Sequence, residues 1–424
     1  MKAVVLSAGE GTRLRPLTLT RPKHLIPVGG KPLLEHLLTS VKTAGLEEVL
    51  IVIHYMSEKI QKWFGDGSKF GLQLKHVFQK KIGGTANAVS AIESFIDDDF
   101  LLIYGDLLVT PNIIKQVLHS HDKEKATTTM AVVPVKHPEN YGIVKLDGSY
   151  VTEISEKPSN KAPTNLANAG IYVFSTEIFQ KTKQTGASSR GELEITDSIR
   201  LLLDEKQKVL AVPVSTEEWL DVGRPWDLFE ANKRVLSQTE TMMEGEIEDG
   251  ARLIGQVSVA RAARIRSGAY IRGPVFIDEN SDVGPNCYIR PYTSIGRHVR
   301  IGNACEIKNS IILDETRIGH LSYVGDSVIG EECNLGAGTV VANYRLDGKT
   351  VKMKVKDEVV DSGRTKLGVI LGDRVKTGIN SLLMPGVKVC NDSWIGPNVV
   401  VYQDVPSYTC VLLKQEVEQK ETKN

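Results

Sequence analysis

From Leu253 onward an aliphatic residue returns at every sixth position: Leu253, Val259, Ile265, Ile271, Ile277, Val283, Ile289, Ile295, Ile301, Ile307 and Leu313. A period of six matches neither the 3.6 of a helix nor the 2 of a strand. A unit that short cannot enclose a core alone, so it must stack on its own repeats as a solenoid. Three six-residue strands per turn make a triangular prism with the repeated aliphatic at an inward corner, and Gly284, Gly296 and Gly302 read as residues of its turns. The phase slips near Ile318 and Ile329 and resumes at Leu371, Thr377, Leu383, Val389, Ile395 and Val401. Between the two runs, residues 343–366 are polar and lysine-rich and read as a loop thrown out of the prism. Ahead of the repeat, residues 237–250 (SQTETMMEGEIEDG) lack a core pattern and read as a linker. The segment 414–424 is charged and reads as a frayed tail.

The first half has a different grammar. Ala3 to Leu6 and Glu48 to Ile53 are continuous apolar strands, Leu74 to Phe78 and Phe100 to Tyr104 two more, while Pro32 to Ala44 and Gly84 to Phe95 carry helical spacing. Strand alternating with helix predicts an α/β, doubly wound and mostly parallel sheet, with ligands at the carboxyl ends of its strands. Directly after the first strand stands LSAGEGTRLRPLTLTRPK. Gly9 and Gly11 allow a sharp turn that brings backbone N–H groups close to phosphate oxygens, and Arg13 and Lys23 add positive charge. The pattern suits a triphosphate, although a plain strand-to-helix loop has the same outline. Asp106 (YGD) and Asp221 (LDVG) each close an apolar run and precede or follow glycine. Either can be a turn residue; together at one mouth they would supply the oxygen ligands Mg²⁺ prefers.

Composition narrows the classes. Lysine plus arginine equals aspartate plus glutamate at 52 each across 424 residues, which leaves no electrostatic footprint for nucleic acid or an anionic membrane. The five cysteines, Cys287, Cys305, Cys333, Cys390 and Cys410, are odd in number and lack metal-type spacing, as expected of reduced thiols in a cytoplasmic protein. No apolar run nears the ~20 residues of a membrane helix, and the first strand is too short for a signal peptide. Small-molecule substrates are the expected partners.

The string GxGTRLxPLT followed by RPK resembles the signature of sugar-1-phosphate nucleotidylyltransferases, over about the first 235 residues. The resemblance implies a nucleotide site made by Ala8, Gly9, Gln79, Gly84 and Thr85. It implies that Arg13 and Lys23 orient the triphosphate and stabilise the transition state, and that Asp106 and Asp221 hold Mg²⁺. Gly142, Glu156, Lys157 and Asn168 would contact the sugar phosphate, with Glu194, Thr196 and Asp197 supporting that pocket.

The repeat resembles the left-handed parallel β-helix of hexapeptide transferases, which implies a homotrimer with active sites between prisms. Within it, GHLSYVGD resembles the motif of bacterial glucosamine-1-phosphate acetyltransferase domains. The resemblance implies His320 as the base, with Arg290, Lys308, Tyr323, Asn334, Asn343 and Tyr344 around sugar phosphate and acetyl group. Lys349 and Lys352 either reach over the substrate phosphates or form a solvated basic loop. As a whole the chain resembles the archaeal type of bifunctional sugar-1-phosphate nucleotidylyltransferase/acetyltransferase (GlmU-like). That implies a nucleotidylyltransferase domain at 1–236, the linker, and a β-helix acetyltransferase domain at 251–413. The implied enzyme acetylates glucosamine-1-phosphate, or galactosamine-1-phosphate, from acetyl-CoA and then uses UTP to make UDP-N-acetylglucosamine. RLRPLTLTRPK is closer to thymidylyltransferase-like enzymes, so dTTP and glucose-1-phosphate stay open as substrates. Two alternatives remain: a monofunctional nucleotidylyltransferase with a structural or regulatory β-helix, and a non-catalytic scaffold resembling exchange-factor subunits of translation initiation.

Overall fold

The computed structural model describes residues 1–158, 162–188 and 190–422. Residues 423–424 of the predicted tail, and 159–161 and 189 of the predicted first domain, lie outside the described residues. The chain forms two compact units that do not follow sequence order: Met1–Gly11, Arg21–Ile26 and Lys31–Val222 in the first; Thr12–Thr20, Pro27–Gly30 and Gly223–Asn424 in the second. No helix among the described residues is long and apolar enough to cross a membrane.

The first unit is built on a nine-stranded sheet. Its strands are β1 (Lys2–Ser7), β2 (Glu48–Ile53), β3 (Gln73–Phe78), β4 (Phe100–Tyr104), β6 (Thr128–Pro134), β7 (Gly142–Asp147), β8 (Tyr150–Glu156), β9 (Leu166–Phe174) and β10 (Val209–Pro213). A separate pair joins β5 (Leu107–Val109) to β11 (Trp219–Asp221). The order is β3-β2-β1-β4-β9-β6-β10-β8-β7. The first four strands are parallel, in the register Ser7↔Ile53, Leu6↔Tyr104 and Ile53↔Phe78, so their carboxyl ends share one edge. Strand β1 is buried on both faces: Ala3 and Val5 pack into one apolar cluster and Val4 into the other.

The other half of the sheet corrects the expectation of a mostly parallel fold. Strand β9 runs antiparallel to β4 and β6, and β7 and β8 form an antiparallel hairpin. The connection Asp147–Tyr150 is too short for a crossover helix, and Gly148 at φ +56° makes the reversal. The helix expected from Gly84 to Phe95 is also shorter: it runs Thr85–Ser90 and is followed by a separate 3₁₀ turn at Glu93–Phe95. Ser90 Oγ donates back to the Ala86 carbonyl at 3.2 Å, a side-chain bond that competes with the helix ladder.

In the second unit the repeat folds as three parallel sheets of nine, eight and seven strands, and up to the inserted hairpin each strand pairs with the one three places further on. The inward columns are those of the period-six pattern. Ile265, Val283, Ile301, Ile318 and Leu335 stack in one sheet, and Val259, Ile277, Ile295, Ile312 and Ile329 in another. Ile312, not Leu313, is the partner of Ile295, so the first slip falls earlier than the sequence suggests. One residue is missing between Ile307 and Ile312, and another between Val324 and Ile329.

Turn chemistry differs from expectation in part, since Gly284 does take a positive φ, +110°, directly after a strand. Corners use left-handed residues such as Asn280, Asn286, His298 and Ala304. Gly302 serves instead the approach of coils, since the Gly319 carbonyl oxygen stands 1.8 Å from where its β-carbon would be. The linker segment carries structure: its strand Glu246–Ile247 pairs with Arg264–Ile265 and so opens one of the three sheets. The loop at 343–366 contains an antiparallel hairpin, Lys352–Val355 with Glu358–Asp361, and buries Val351, Met353 and Val355. Residues 412–422 are exposed and without secondary structure.

Ile307 is fully buried in the inward column. Ile307→Ala is expected to lower unfolding stability by about 2–5 kcal/mol, read as the urea midpoint, because its neighbours above and below are fixed by the backbone ladder. Arg261→Ala, at a side chain that is 77% exposed, is expected to stay within about 0.5 kcal/mol of the parent.

Candidate functional site

The shared carboxyl edge of β1 to β4 gathers the residues singled out in the first half. After Ser7, Ala8 is buried, and a β-carbon at Gly9 would meet nothing within 4 Å, which leaves the glycine turn open on one side. After Tyr104, the Gly105 N–H donates to the Leu6 carbonyl at 2.9 Å, so the parallel ladder extends one residue beyond the strand. No side chain fits at Gly105: Ser7 Oγ lies 2.3 Å and the Leu6 carbonyl 2.7 Å from its β-carbon position. Asp106 is thereby fixed at the rim. Strand β11 then brings in Asp221, which pairs with Leu107, while the Val222 N–H donates to the Asp106 carbonyl at 3.0 Å. Two aspartates 115 positions apart in the chain thus occupy adjacent rungs. The Lys23 ammonium is ion-paired with the Asp106 carboxylate. His24 is wholly buried; that burial, and then the charge of Lys23, lower it to about 3, so it is neutral beside the pair. Arg13 lies in the second unit, its guanidinium within about 3 Å of the β-carbon position of Gly223.

Gln79 is buried, and its amide donates to Asn87 Oδ1 at 2.7 Å. Gly84, at φ +99°, sits 2.4 Å (β-carbon position) from the Leu193 carbonyl oxygen, an approach only glycine permits. Thr85 Oγ1 accepts the Ile195 N–H at 2.8 Å. These contacts bolt the Gln79 loop to the segment that carries Glu194, Thr196 and Asp197.

That segment faces Glu156. Arg190 reaches Glu194 at 2.5 Å and Glu156 at 3.3 Å, Lys157 lies 3.7 Å from Glu156, and Thr196 Oγ1 donates to Glu156 at 3.3 Å. Gly142 leaves room for the Glu156 carboxylate, 2.9 Å from its β-carbon position. Asn168 donates to the Tyr172 hydroxyl, which lies 3.3 Å from that of Tyr104. Burial, then the charge of Glu156, pushes Glu194 up to about 7 against the pull of Arg190. Burial also raises both phenols. Asp197 turns aside to Arg200. Arg190, Tyr104 and Tyr172 belong to this cluster and were not singled out from sequence; the only hint was the i, i+4 spacing of Arg190 and Glu194, which looks like a surface pair.

The second unit holds a separate polar cluster. Lys308 Nζ meets Asp326 Oδ2 at 2.8 Å, and Asn309 donates to Asp326 Oδ1 at 2.7 Å. Asn343 donates to Asp326 and, at 3.1 Å, to the Tyr323 hydroxyl. Asp326 is buried. Burial, followed by the Asp326 carboxylate, raises the Tyr323 phenol. Arg290 occupies the rung before Lys308 on the same sheet and pairs with Glu306 at 2.8 Å. His320 and Asn334 lie on the neighbouring sheet, where His320 pairs with Asn303 and Asn334 with Arg317, and both are exposed. Tyr344, half-exposed, bridges to Lys366 at the neck of the inserted hairpin. Lys349 and Lys352 are exposed on that insertion. One chain therefore assembles Arg290, Lys308, Tyr323 and Asn343 on one face and carries His320 and Asn334 on the next.

The nucleotidyl transferase family model matches residues 2–238, and that of the GMPPB C-terminal domain matches residues 271–375. A Methanocaldococcus jannaschii relative described as the bifunctional protein GlmU is 42% identical over 98% of both chains. The chain belongs to the GlmU family. A Sulfurisphaera tokodaii member, described as a bifunctional sugar-1-phosphate nucleotidylyltransferase/acetyltransferase, is 40% identical over 96% of this chain and 98% of its own. Among solved structures, a Bacillus anthracis protein described as a glucose-1-phosphate thymidylyltransferase matches at a TM-score of 0.50 and 29% identity, covering 55% of this chain and 94% of that one. A UDP-glucose pyrophosphorylase at TM-score 0.51 and 24% identity shares the fold of that half.

In this GlmU-family chain the carboxylate pair has a measurable signature. An unfolded glutamate titrates near 4.5 and Glu194 in the fold at about 7. Between those values the folded state binds more protons, so its stability is fully present below the lower one and is lost as pH rises through the upper. Glu194→Gln removes that loss. The melting temperature of the variant relative to wild type is expected to climb, by on the order of 5 °C, from pH 5 to pH 8. A difference that stays flat across that range would show that Glu194 does not titrate there.

Proposed function

We propose that this chain makes a UDP-N-acetyl-hexosamine in two steps, acetylating an amino-sugar 1-phosphate and then transferring a nucleotidyl group to the product. The amino sugar is glucosamine-1-phosphate, with galactosamine-1-phosphate as the alternative configuration, and the nucleotide is UTP, with dTTP and glucose-1-phosphate as accepted variants. The first catalytic domain is residues 1–236. The second, residues 251–413 beyond the linker 237–250, is a left-handed β-helix that associates as a homotrimer. What supports the coil is the rotation of successive strands among three parallel sheets.

In nucleotidyl transfer, a sugar-phosphate oxygen attacks the α-phosphorus, the bond to the bridging oxygen breaks and pyrophosphate leaves. The Ala8–Gly11 turn receives the triphosphate; Gln79, Gly84 and Thr85 hold the base. Gly142, Glu156, Lys157 and Asn168 hold the sugar phosphate. Arg13 and Lys23 stabilise the charge that develops on the phosphoryl oxygens, a task of positioning and electrostatics. Asp106 and Asp221, which the pairing of β5 with β11 brings to neighbouring positions, are the oxygen donors this reading assigns to Mg²⁺. Two carboxylates would leave the other positions of such an ion to substrate phosphates and water. The ion, when bound, draws charge from the triphosphate.

In acetyl transfer, the sugar nitrogen attacks the thioester carbon of acetyl-CoA, the C–S bond breaks, and His320 takes the proton released by the amine. Lys308, Arg290 and Tyr323 hold the sugar phosphate, Asn343, Tyr344 and Asn334 the acetyl end, and Lys349 and Lys352 the flanking phosphates. The observation that carries the bifunctional reading over a structural β-helix is the Lys308–Asp326 pair with Tyr323 and Asn343 on one coil face. A scaffold gains little from a desolvated charge pair, which stabilises less than apolar packing of the same volume.

Two assays on one preparation test the reading. CoA-thiol release with glucosamine-1-phosphate is expected, falling roughly 10²–10⁴-fold in His320→Ala; its absence with both amino sugars would return the repeat to a scaffold role. Pyrophosphate release from UTP and N-acetylglucosamine-1-phosphate is expected to fall at least roughly 10²-fold in Asp106→Asn and Asp221→Asn. Retained rates there would remove the metal assignment. Light scattering should give three times the chain mass.

A further inference from the structure

The second compact unit takes in two stretches of the N-terminal hundred residues, Thr12–Thr20 and Pro27–Gly30. These stretches flank Arg21–Ile26, the segment with Lys23, and the first of them carries Arg13. Each has its own anchor. Thr20 Oγ1 donates to Asp373 Oδ2 at 2.6 Å, across 353 positions of sequence. Asp373 is buried and follows the strand Ile370–Leu371; its other oxygen accepts the Glu331 N–H at 2.9 Å. Asn391 is also buried, with its amide 3.5 Å from Thr20 Oγ1. Beyond Lys23, the Gly29 N–H donates to Asn232 Oδ1 at 2.8 Å, and that oxygen also accepts Ser294 Oγ at 2.5 Å. Asn232 in turn donates to the Tyr292 carbonyl at 2.9 Å. Gly30, at φ +84°, has the Phe276 ring 2.1 Å from its β-carbon position, so no side chain fits there.

We infer that Asp373, with Asn391 beside it, is a positioning residue for nucleotidyl transfer: within the second unit it holds the loop that carries Arg13, the cation assigned above to the reacting phosphate. The inference rests on the nucleotidyl reading above. Its physical basis is twofold. A buried carboxylate is costly unless its oxygens are satisfied, so Asp373 and Thr20 have reason to stay together. An Arg-bearing loop left loose would have to be ordered in each turnover, whereas a tethered one enters with its entropy already lost. Asp373 touches no reacting atom; it acts through the loop.

The test uses the full chain with Thr20→Val, which is nearly isosteric but cannot donate, Thr20→Ser, which restores the hydroxyl, and Asp373→Asn. For pyrophosphate release, kcat is expected to fall roughly tenfold in Thr20→Val and to recover to within about twofold in Thr20→Ser. The KM for the sugar phosphate should change less than about twofold, and acetyl transfer in the same preparations should be unchanged. Trypsin supplies a readout that needs no activity: cleavage after Arg13 is expected to speed up in Thr20→Val and Asp373→Asn but not in Thr20→Ser. The inference is overturned if Thr20→Val keeps the wild-type kcat and cleavage rate, if Thr20→Ser fails as badly as Thr20→Val, or if both activities fall together. A wild-type chain that releases no pyrophosphate, yet shows the change in cleavage, would sink the nucleotidyl reading while leaving the tether in place.

Discussion

Parallel pairing obliges a chain to return to the same end of a sheet before each new strand, and both halves of this protein are organised by those returns. In the first half the return segments are long and carry helices, so the carboxyl ends of β1, β3 and β4 release their loops along one edge. The glycine turn, Gln79 and Asp106 leave the sheet along the same edge for that reason. In the repeat the returns are corners between three sheets, and residues one coil apart become rungs of one ladder. Arg290 and Lys308 meet in that way. Position along the chain is converted into position along an edge, by backbone hydrogen bonds more than by the side chains that do chemistry.

Charge is handled differently in the two clusters. Lys308 and Asp326 balance one another, and Asn309 and Asn343 take up the remaining carboxylate lone pairs. The carboxylate is thus held by three donors of the protein itself. Around Glu156 and Glu194 a single arginine serves two carboxylates, and the deficit appears as the raised titration of Glu194. A cluster with surplus negative charge and hydroxyl neighbours suits the hydroxyls of a neutral polyol better than a second anion.

Much of the fold was legible because it rests on strong periodic signals. The strands Glu48–Ile53 and Phe100–Tyr104 are where the apolar runs end, and the inward columns follow the period of six. The rung near residue 312 was not, because Ile311, Ile312 and Leu313 are three aliphatics in succession, and only the ladder decides which of them faces inward. The inserted hairpin carries a legible alternation, Val351, Met353 and Val355 against Lys352 and Lys354, but its lysines outweighed it in a reading by polarity. The hairpin at Asp147–Tyr150 carries an Asp-Gly turn signal of the kind that predicts antiparallel strands. Arg190 and the two phenols could not be found from sequence, since their roles depend on the approach of β8, β9 and the Glu194 segment. The grouping of Thr12–Thr20 with residues more than 200 positions away leaves no local trace at all.

The irregularities of the repeat carry the same lesson further. Two coils are one residue short, and both deletions fall at one corner, between Ile307 and Ile312 and between Val324 and Ile329. Those shortened corners are the segments that hold Lys308 with Asn309 and Asp326 with Gly325. Asn309 and Asp326 both take left-handed backbone, at φ +44° and +51°, and the serines that follow them, Ser310 and Ser327, each bond back to a carbonyl two residues earlier, at 2.8 Å. Gly325 leaves the space into which Tyr323 and Asn343 converge, 2.5 and 2.7 Å from its β-carbon position. The period is broken at the coils where the polar cluster stands. Departure from local regularity, tolerated because the coils above and below are regular, is what a site requires of such a fold.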